Sequence, residues 1–252
     1  MLSKFDKILL DVSGTLYSNK KEPLNGSKEF LKNYYQKIII FSNIGSKTGL
    51  ELKEELFNIF NVPIPDVITS LDLLLKFLEK KSYKTIFHYG QENVANKIKP
   101  FVGNIVNDIS EEDIDAIIFT SLVDSKWIKR TESALNLIIK TDADILLGNP
   151  DRISPEPPFN FTVTLILDGL LNLSGVLQKK KLSKEFGKPN LSREMIKVKK
   201  DEKLIVIGDN PWTDIELSKN LKCQSVLISS KSDLVKNSPS PTFVVESLKE
   251  IL

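Results

Sequence analysis

Lys7-Ile-Leu-Leu-Asp-Val-Ser-Gly-Thr-Leu-Tyr17 is the stretch on which the fold turns. The apolar run Ile8 to Val12 has the length of a strand, carries an acid at Asp11 and breaks at Gly14. Open α/β sheets bind ligands at the carboxyl edge of their strands, so Asp11 is placed for chemistry. Ser13 stands two residues on, where a second acid would let one loop supply both a nucleophile and a proton donor.

Further runs of the same kind follow at Lys37 to Phe41, Thr85 to His88, Ala116 to Thr120, Ile145 to Leu147, Leu204 to Ile207 and Gln224 to Ile228. Between them Lys47 to Phe60, Trp127 to Lys140 and Asp214 to Leu221 have helical spacing. This alternation predicts a doubly wound, Rossmann-like parallel α/β sheet covered by helices. Loops rich in site-type residues lie near 11 to 15, 42 to 48 and 187 to 214, and a long section separates the second from the third. That middle section has its own strand and helix pattern. It predicts an inserted α/β cap over residues 82–182, with the core built from 1–81 and 183–252, and an insertion at the carboxyl edge would lie over the site as a lid.

Composition narrows the class. With 35 basic and 33 acidic side chains in 252 residues the net charge is +2, which makes no case for nucleic acid or an anionic membrane as partner. The short runs Lys179-Lys-Lys181 and Lys197-Val-Lys-Lys200 read as solvated faces. The one cysteine, Cys223, excludes an internal disulfide, and the one histidine, His88, argues against a histidine zinc site or a serine triad. Asp6, Lys7 and Asp11 interrupt any signal-type apolar segment, and no window approaches the roughly 18 to 20 apolar residues that span a bilayer. A cytoplasmic location is expected.

Four loops carry the chemistry: Asp11-Val-Ser-Gly-Thr15; Phe41-Ser-Asn-Ile-Gly-Ser-Lys-Thr48; Phe186-Gly-Lys-Pro189, where a lysine stands before a helix-starting proline; and Ile205-Val-Ile-Gly-Asp-Asn-Pro-Trp-Thr-Asp214. In the second loop a hydroxyl, free amides and the positive end of a helix are expected to make an anion site. Hard oxygen ligands at Asp11 and Asp209 suit Mg²⁺, and Ser42 with Lys188 suits a phosphoryl group beside it. Trp212 lies between the two acids of the fourth loop and either walls that site or packs on the neighbouring helix. Trp127 reads as part of a helix core face, and Pro155-Glu-Pro-Pro158 with Phe159 and Phe161 reads as a rigid connector.

Taken in this order, the four loops resemble those of the haloacid dehalogenase superfamily of aspartate-nucleophile phosphatases. The position of the insertion resembles a class II cap, and Asn149-Pro-Asp151 resembles a signature of the NagD-like, nitrophenylphosphatase-like branch. The resemblance implies that Asp11 attacks phosphorus and becomes an aspartyl phosphate. It implies Mg²⁺ held by Asp11, the backbone carbonyl of Ser13 and Asp209, with Asp214 ordering the ligands around it. Ser42, Asn43 and Lys188 would hold the phosphoryl group, and Asn149 and Asp151 would face a small phosphorylated substrate from the cap. The cap of this branch often contributes to homodimer contacts.

Ser13 departs from the pattern, because most phosphatases of this family have there an aspartate that protonates the leaving oxygen and later activates water. Such assistance is typically worth about 10²- to 10⁴-fold. Three readings stay open: a phosphatase that favours activated, pyrophosphate or P–N bonds; a metabolite phosphatase in which another group replaces the acid; and a catalytically impaired protein that binds a phosphorylated ligand or a protein. A receiver domain would carry its acid after a middle strand of a chain about half this long. The glycine patterns of dinucleotide-binding and Walker loops are absent.

Overall fold

The computed structural model describes residues 2–106, 113–122, 127–152, 162–177, 180–229 and 238–252. The Pro155 to Phe161 connector therefore lies outside the described residues. The strands are β1 (Lys7–Leu10), β2 (Ile38–Ser42), β3 (Asp66–Thr69), β4 (Thr85–Tyr89), β5 (Asn104–Val106), β6 (Ala116–Phe119), β7 (Asp144–Leu147), β8 (Lys184–Glu185), β9 (Leu204–Gly208), β10 (Gln224–Ile228) and β11 (Phe243–Val245). The α-helices are α1 (Ser27–Tyr34), α2 (Gly49–Phe60), α3 (Ser70–Lys81), α4 (Glu92–Ile98), α5 (Trp127–Lys140), α6 (Val163–Leu177) and α7 (Glu216–Asn220). None of the helices is long and apolar enough to cross a membrane, among the described residues.

The strands form two parallel sheets, ordered β11-β10-β9-β1-β2-β3 and β5-β4-β6-β7-β8. This is the expected α/β architecture. Successive strand residues point to opposite faces, and here both faces are apolar because both are covered. Ile8, Leu10, Ile38, Ile40, Ile205 and Ile207 join Phe30, Leu52, Leu56 and Phe60 in one cluster, while Leu9, Ile39, Phe41 and Val206 join Ile196, Val198 and Leu217 in another. The second sheet repeats the arrangement. Phe87, Ile117 and Phe119 pack with α5 and α6, and Ile86, Ile118 and Leu146 pack with α3 and α4.

In the first sheet the chain runs outward one way through β1, β2 and β3 and the other way through β9, β10 and β11. The order reverses between β1 and β9, which pair in register from Lys7 with Leu204 to Leu10 with Ile207. Such a switch point opens a crevice at the carboxyl ends of the two strands. Asp11 follows β1 and Asp209 follows β9, so the fold delivers both acids to that crevice.

Several expected boundaries move. The first strand ends at Leu10 rather than Val12, because the backbone leaves the ladder to enter a turn in which Leu16 N–H donates to Val12 O at 2.8 Å. The helix expected over Asp214 to Leu221 is preceded by one π-helical turn, Pro211–Ile215, and only then runs as α7. Pro189 starts no helix. Its peptide bond with Lys188 is cis, and Asn190 N–H closes a turn onto Gly187 O at 2.9 Å. Trp127 is 54% exposed at the first turn of α5, whose buried face begins further along at Ser133, Ala134, Leu137 and Ile138.

Candidate active site

The crevice holds one buried ammonium among three carboxylates. Lys188 Nζ donates to Asp11 Oδ1 at 2.5 Å and to Asp214 Oδ1 at 2.7 Å, and all three side chains are almost wholly enclosed. Asp214 reaches this position because its Oδ2 accepts from Asn210 N–H at 3.1 Å, closing the wide turn after β9. Gly14 makes room for the fourth member. Its φ of +75° favours glycine, and a Cβ there would lie 2.0 Å from Asp209 Oδ2.

The electrostatics follow from this crowding. Burial pushes the Asp214 carboxyl up to about 7, with Lys188 opposing the shift and Asp11 adding to it. Burial likewise raises Asp209 well above the ordinary carboxylate value, and the charges of Asp11 and Asp214 push the same way. Burial works against the Lys188 ammonium, but Asp11 and Asp214 outweigh it and hold its pKa above that of a free lysine. One cation thus faces more negative charge than it can neutralise. Asp11, Asp209 and Asp214 each offer an oxygen, with those atoms within 4.8 Å of one another. A cluster of hard oxygen donors short of positive charge fits a divalent metal ion.

A cavity of about 190 Å³ opens onto these groups, lined by Asp11, Ser13, Ser42, Asn43, Asn149, Asp151, Lys188, Asp209 and Asp214. The structure therefore brings every candidate residue read from the sequence to one place. The cavity is smaller than the roughly 300 to 1,000 Å³ of sites that enclose drug-sized ligands, and its size suits a phosphoryl group. Trp212 is 42% exposed and lines a neighbouring cleft with Leu165 and Pro189 instead of this cavity.

The second loop differs from expectation. Its helix, α2, begins at Gly49, six residues past Asn43, and the amides of Thr48, Gly49 and Glu51 are already used. Gly49 N–H donates to Asp72 at 2.9 Å, and Thr48 with Glu51 forms a reciprocal cap. The helix end is therefore no anion site. The Asn43 carboxamide is engaged within the protein. Its Oδ1 accepts from Lys188 N–H at 2.7 Å and from Ser70 Oγ at 3.3 Å, while Nδ2 donates to Lys188 O at 3.0 Å and to Asp151 Oδ1 at 2.8 Å. The carboxamide is fully occupied in tying the lysine loop to the cap loop. Asn43→Ala is expected to leave those buried groups unpaired, costing about 2 to 3 kcal/mol, which a denaturant titration against wild type would read.

From the second sheet, the segment after β7 closes the cavity. Asp151 N–H donates to Asn149 Oδ1 at 3.1 Å, a local turn that fixes the loop. The hydroxyls of Thr162 and Thr164 donate to the carbonyls of Asp151 and Asn149. Four cavity residues had no distinct signal in the sequence: Asn19, Thr162, Asn210 and Thr213. Asn210, next to Asp209 and before Pro211, was recognisable only as turn chemistry, whereas Thr162 has no marker at all.

The fold and its crevice define an α/β protein with three carboxylates and a buried lysine gathered at the switch point of a parallel sheet. Two family models match the chain, haloacid dehalogenase-like hydrolase over residues 8–101 and a related HAD-hydrolase-like model over 185–251. The chain belongs to the haloacid dehalogenase-like hydrolases. Similar solved structures include a 4-nitrophenylphosphatase from Thermotoga maritima, 23% identical with a TM-score of 0.79 over 99% of this chain and 97% of that one. NagD from E. coli K-12 is 20% identical with a TM-score of 0.77, covering 99% of each chain. A glycerol phosphate phosphatase from Mycobacterium tuberculosis, in complex with magnesium, is 20% identical with a TM-score of 0.78 over 98% of this chain and 76% of that one. At these identities the likeness is one of fold. No curated protein matches the sequence.

Proposed function

We propose that this protein is an Mg²⁺-dependent phosphatase that transfers the phosphoryl group of a small substrate to Asp11 and then to water. The observation that carries this reading is the buried Lys188 bridge between Asp11 and Asp214, beside a third acid at the switch point of the sheet. Asp11 attacks phosphorus with one carboxylate oxygen. Lys188 steadies the charge of the incoming phosphoryl group and fixes the orientation of the carboxylate. Ser42, at the end of β2 and open to the cavity, offers a hydroxyl to a phosphoryl oxygen. Asp11, Asp209 and the Ser13 carbonyl would hold Mg²⁺ with Asp214 behind them, and when bound the ion supplies charge neutralisation to the transferring group. On Ser13 alone, activated, pyrophosphate or P–N bonds are the favoured substrates, since their leaving groups need no strong acid.

Hydrolysis of p-nitrophenyl phosphate by the purified protein, abolished by chelation and restored by Mg²⁺, is the expected result. A protein that binds Mg²⁺ and inorganic phosphate but turns over none of p-nitrophenyl phosphate, pyrophosphate, an alkyl phosphate or a phosphoramidate would instead be a catalytically impaired binder.

The acid cluster also sets the sign of a pH effect. Because the folded carboxyls at Asp209 and Asp214 hold protons that the unfolded chain releases, the metal-free protein loses stability as pH rises from about 4 to about 7. Mg²⁺ binds the deprotonated acids and gains affinity over the same window. Saturation at about 100-fold over Kd is worth about 2.7 kcal/mol. Calorimetry is expected to show a Tm gain from Mg²⁺ of several degrees at pH 8 and little at pH 5; equal gains at both would contradict the metal assignment.

A further inference from the structure

We propose that Asp151, from the loop after β7, supplies the proton that Ser13 cannot, acting as general acid and then general base for Asp11. The inference rests on the phosphatase reading above and names the residue that completes it.

Geometry comes first. In an in-line displacement the leaving oxygen departs from the face of phosphorus opposite the attacking carboxylate, so with Asp11 at the floor of the cavity it departs toward the cap side. Water attacks the aspartyl phosphate along the same line in the second step. Asp151 lines the same cavity as Asp11 and belongs to the loop after β7 of the second sheet, the cap side of the crevice. The residue is held on four counts. Asn43 Nδ2 donates to its Oδ1 at 2.8 Å, its N–H donates to Asn149, its carbonyl accepts from Thr162, and its neighbour Arg152 pairs with Asp168 at 3.1 Å. Among the described residues no hydrogen bond reaches Oδ2, so the carboxyl keeps an oxygen for a substrate.

The other acids near Ser13 do not serve. Tyr17 interacts with the Ser13 side chain, but burial and then the Glu55 charge push its phenol above the ordinary value and make it a weaker donor. Glu55 is also partly buried, yet hydrogen bonds from Lys47 and Lys21 outweigh that burial and keep it ionised, with no proton to give. Asp209 and Asp214 belong to the metal cluster. At Asp151, burial raises the carboxyl above its ordinary range; the Asn43 bond and the Lys188 charge oppose this and the Asp11 charge adds to it. Among the described residues, Lys188 and Asp11 are the charged groups that act on it.

The proton balance closes. As the bond from phosphorus to the leaving oxygen breaks and the bond to Asp11 forms, the Asp151 carboxyl gives its proton to that oxygen. The resulting carboxylate then takes a proton from water as the water oxygen bonds to phosphorus and Asp11 is released. Asp151 ends protonated and Asp11 ionised, as they began.

Asp151→Asn keeps an oxygen for the Asn43 bond and removes only the exchangeable proton. Assayed with Mg²⁺, it is expected to slow hydrolysis of an alkyl phosphate by about 10²- to 10⁴-fold while slowing p-nitrophenyl phosphate less than about 10-fold. The fall in alkyl kcat/KM that wild type shows as pH rises is expected to disappear. Adding Ser13→Asp to Asp151→Asn is expected to recover alkyl turnover at least about 10-fold. Equal slowing of both substrates without recovery would make Asp151 structural and overturn the inference, as would undiminished alkyl turnover. Wild-type hydrolysis of p-nitrophenyl phosphate in the same experiment separates the two failures, since an inert wild type removes the phosphatase reading itself and the acid along with it.

Discussion

Asp11→Asn is expected to lower kcat for p-nitrophenyl phosphate by about 10⁴-fold or more and to leave the protein folded. The loss is large because an amide has no lone pair of comparable basicity to attack phosphorus, and no other carboxylate of the cluster is free to take over. Asp214 is bonded to Lys188 and to Asn210 N–H, and Asp209 lies against Gly14. The fold survives because the amide oxygen still accepts from Lys188, and a neutral group at position 11 relieves the charges of Asp209 and Asp214. The metal-free Tm should therefore stay level or rise. A variant that loses activity and melts early would assign Asp11 to structure; one that keeps activity would remove it from the chemistry.

Lys188→Ala is expected to damage both properties. Three crowded carboxylates would lose the cation between them, and breaking a buried pair from one side costs about 3 to 5 kcal/mol. For a chain of this size that is a Tm loss of roughly 6 to 20 °C. The sign of its pH dependence is fixed by the raised carboxyls. At low pH they are neutral and need no cation, so the loss should be larger at pH 8 than at pH 5 and should shrink when Mg²⁺ is added. Turnover should fall by about 10²- to 10³-fold, the cost of removing one group that stabilises transition-state charge. The two variants differ in kind, because Asp11→Asn keeps the bond to Lys188 whereas Lys188→Ala removes every bond the ammonium makes between the loops.

The sequence marked the central strands well and the edges poorly. β1, β2 and β9 are nearly continuous apolar runs because both their faces are covered, β10 ends in one (Val226 to Ile228), and such runs stand out without any alternation. β3, β5, β8 and β11 are two to four residues long, and each includes polar residues or positions that are only partly buried or exposed. Nothing in two residues, Lys184 and Glu185, distinguishes a strand from a loop. Helix α3 was hidden differently: its buried positions Leu71, Leu74 and Leu78 sit among Leu73, Leu75 and Phe77, which blurs the period, although Thr69 and Asp72 form a capping box at its start.

The site was more legible than the fold around it. An acid or a lysine after a strand is a local signal, and the order of four such loops singled out the groups that share the cavity. What a single sequence does not encode locally is who bonds to whom. Asn43 reads as loop chemistry beside Ser42, and only the folded chain shows its carboxamide spent on Ser70 and, across more than a hundred residues, on Lys188 and Asp151. The helix-end anion site failed for a related reason, since the partner of Gly49 N–H is Asp72, on another helix.

The central claim is that the phosphoryl group passes through Asp11. Quenching the enzyme during turnover with p-nitrophenyl phosphate, reducing any acyl phosphate with borohydride and mapping the peptides by mass spectrometry tests it directly. The reduced side chain, homoserine, is expected at position 11 and at no other carboxylate. Steady release of phosphate with position 11 always unmodified, or a modified carboxylate elsewhere in the chain, would contradict it.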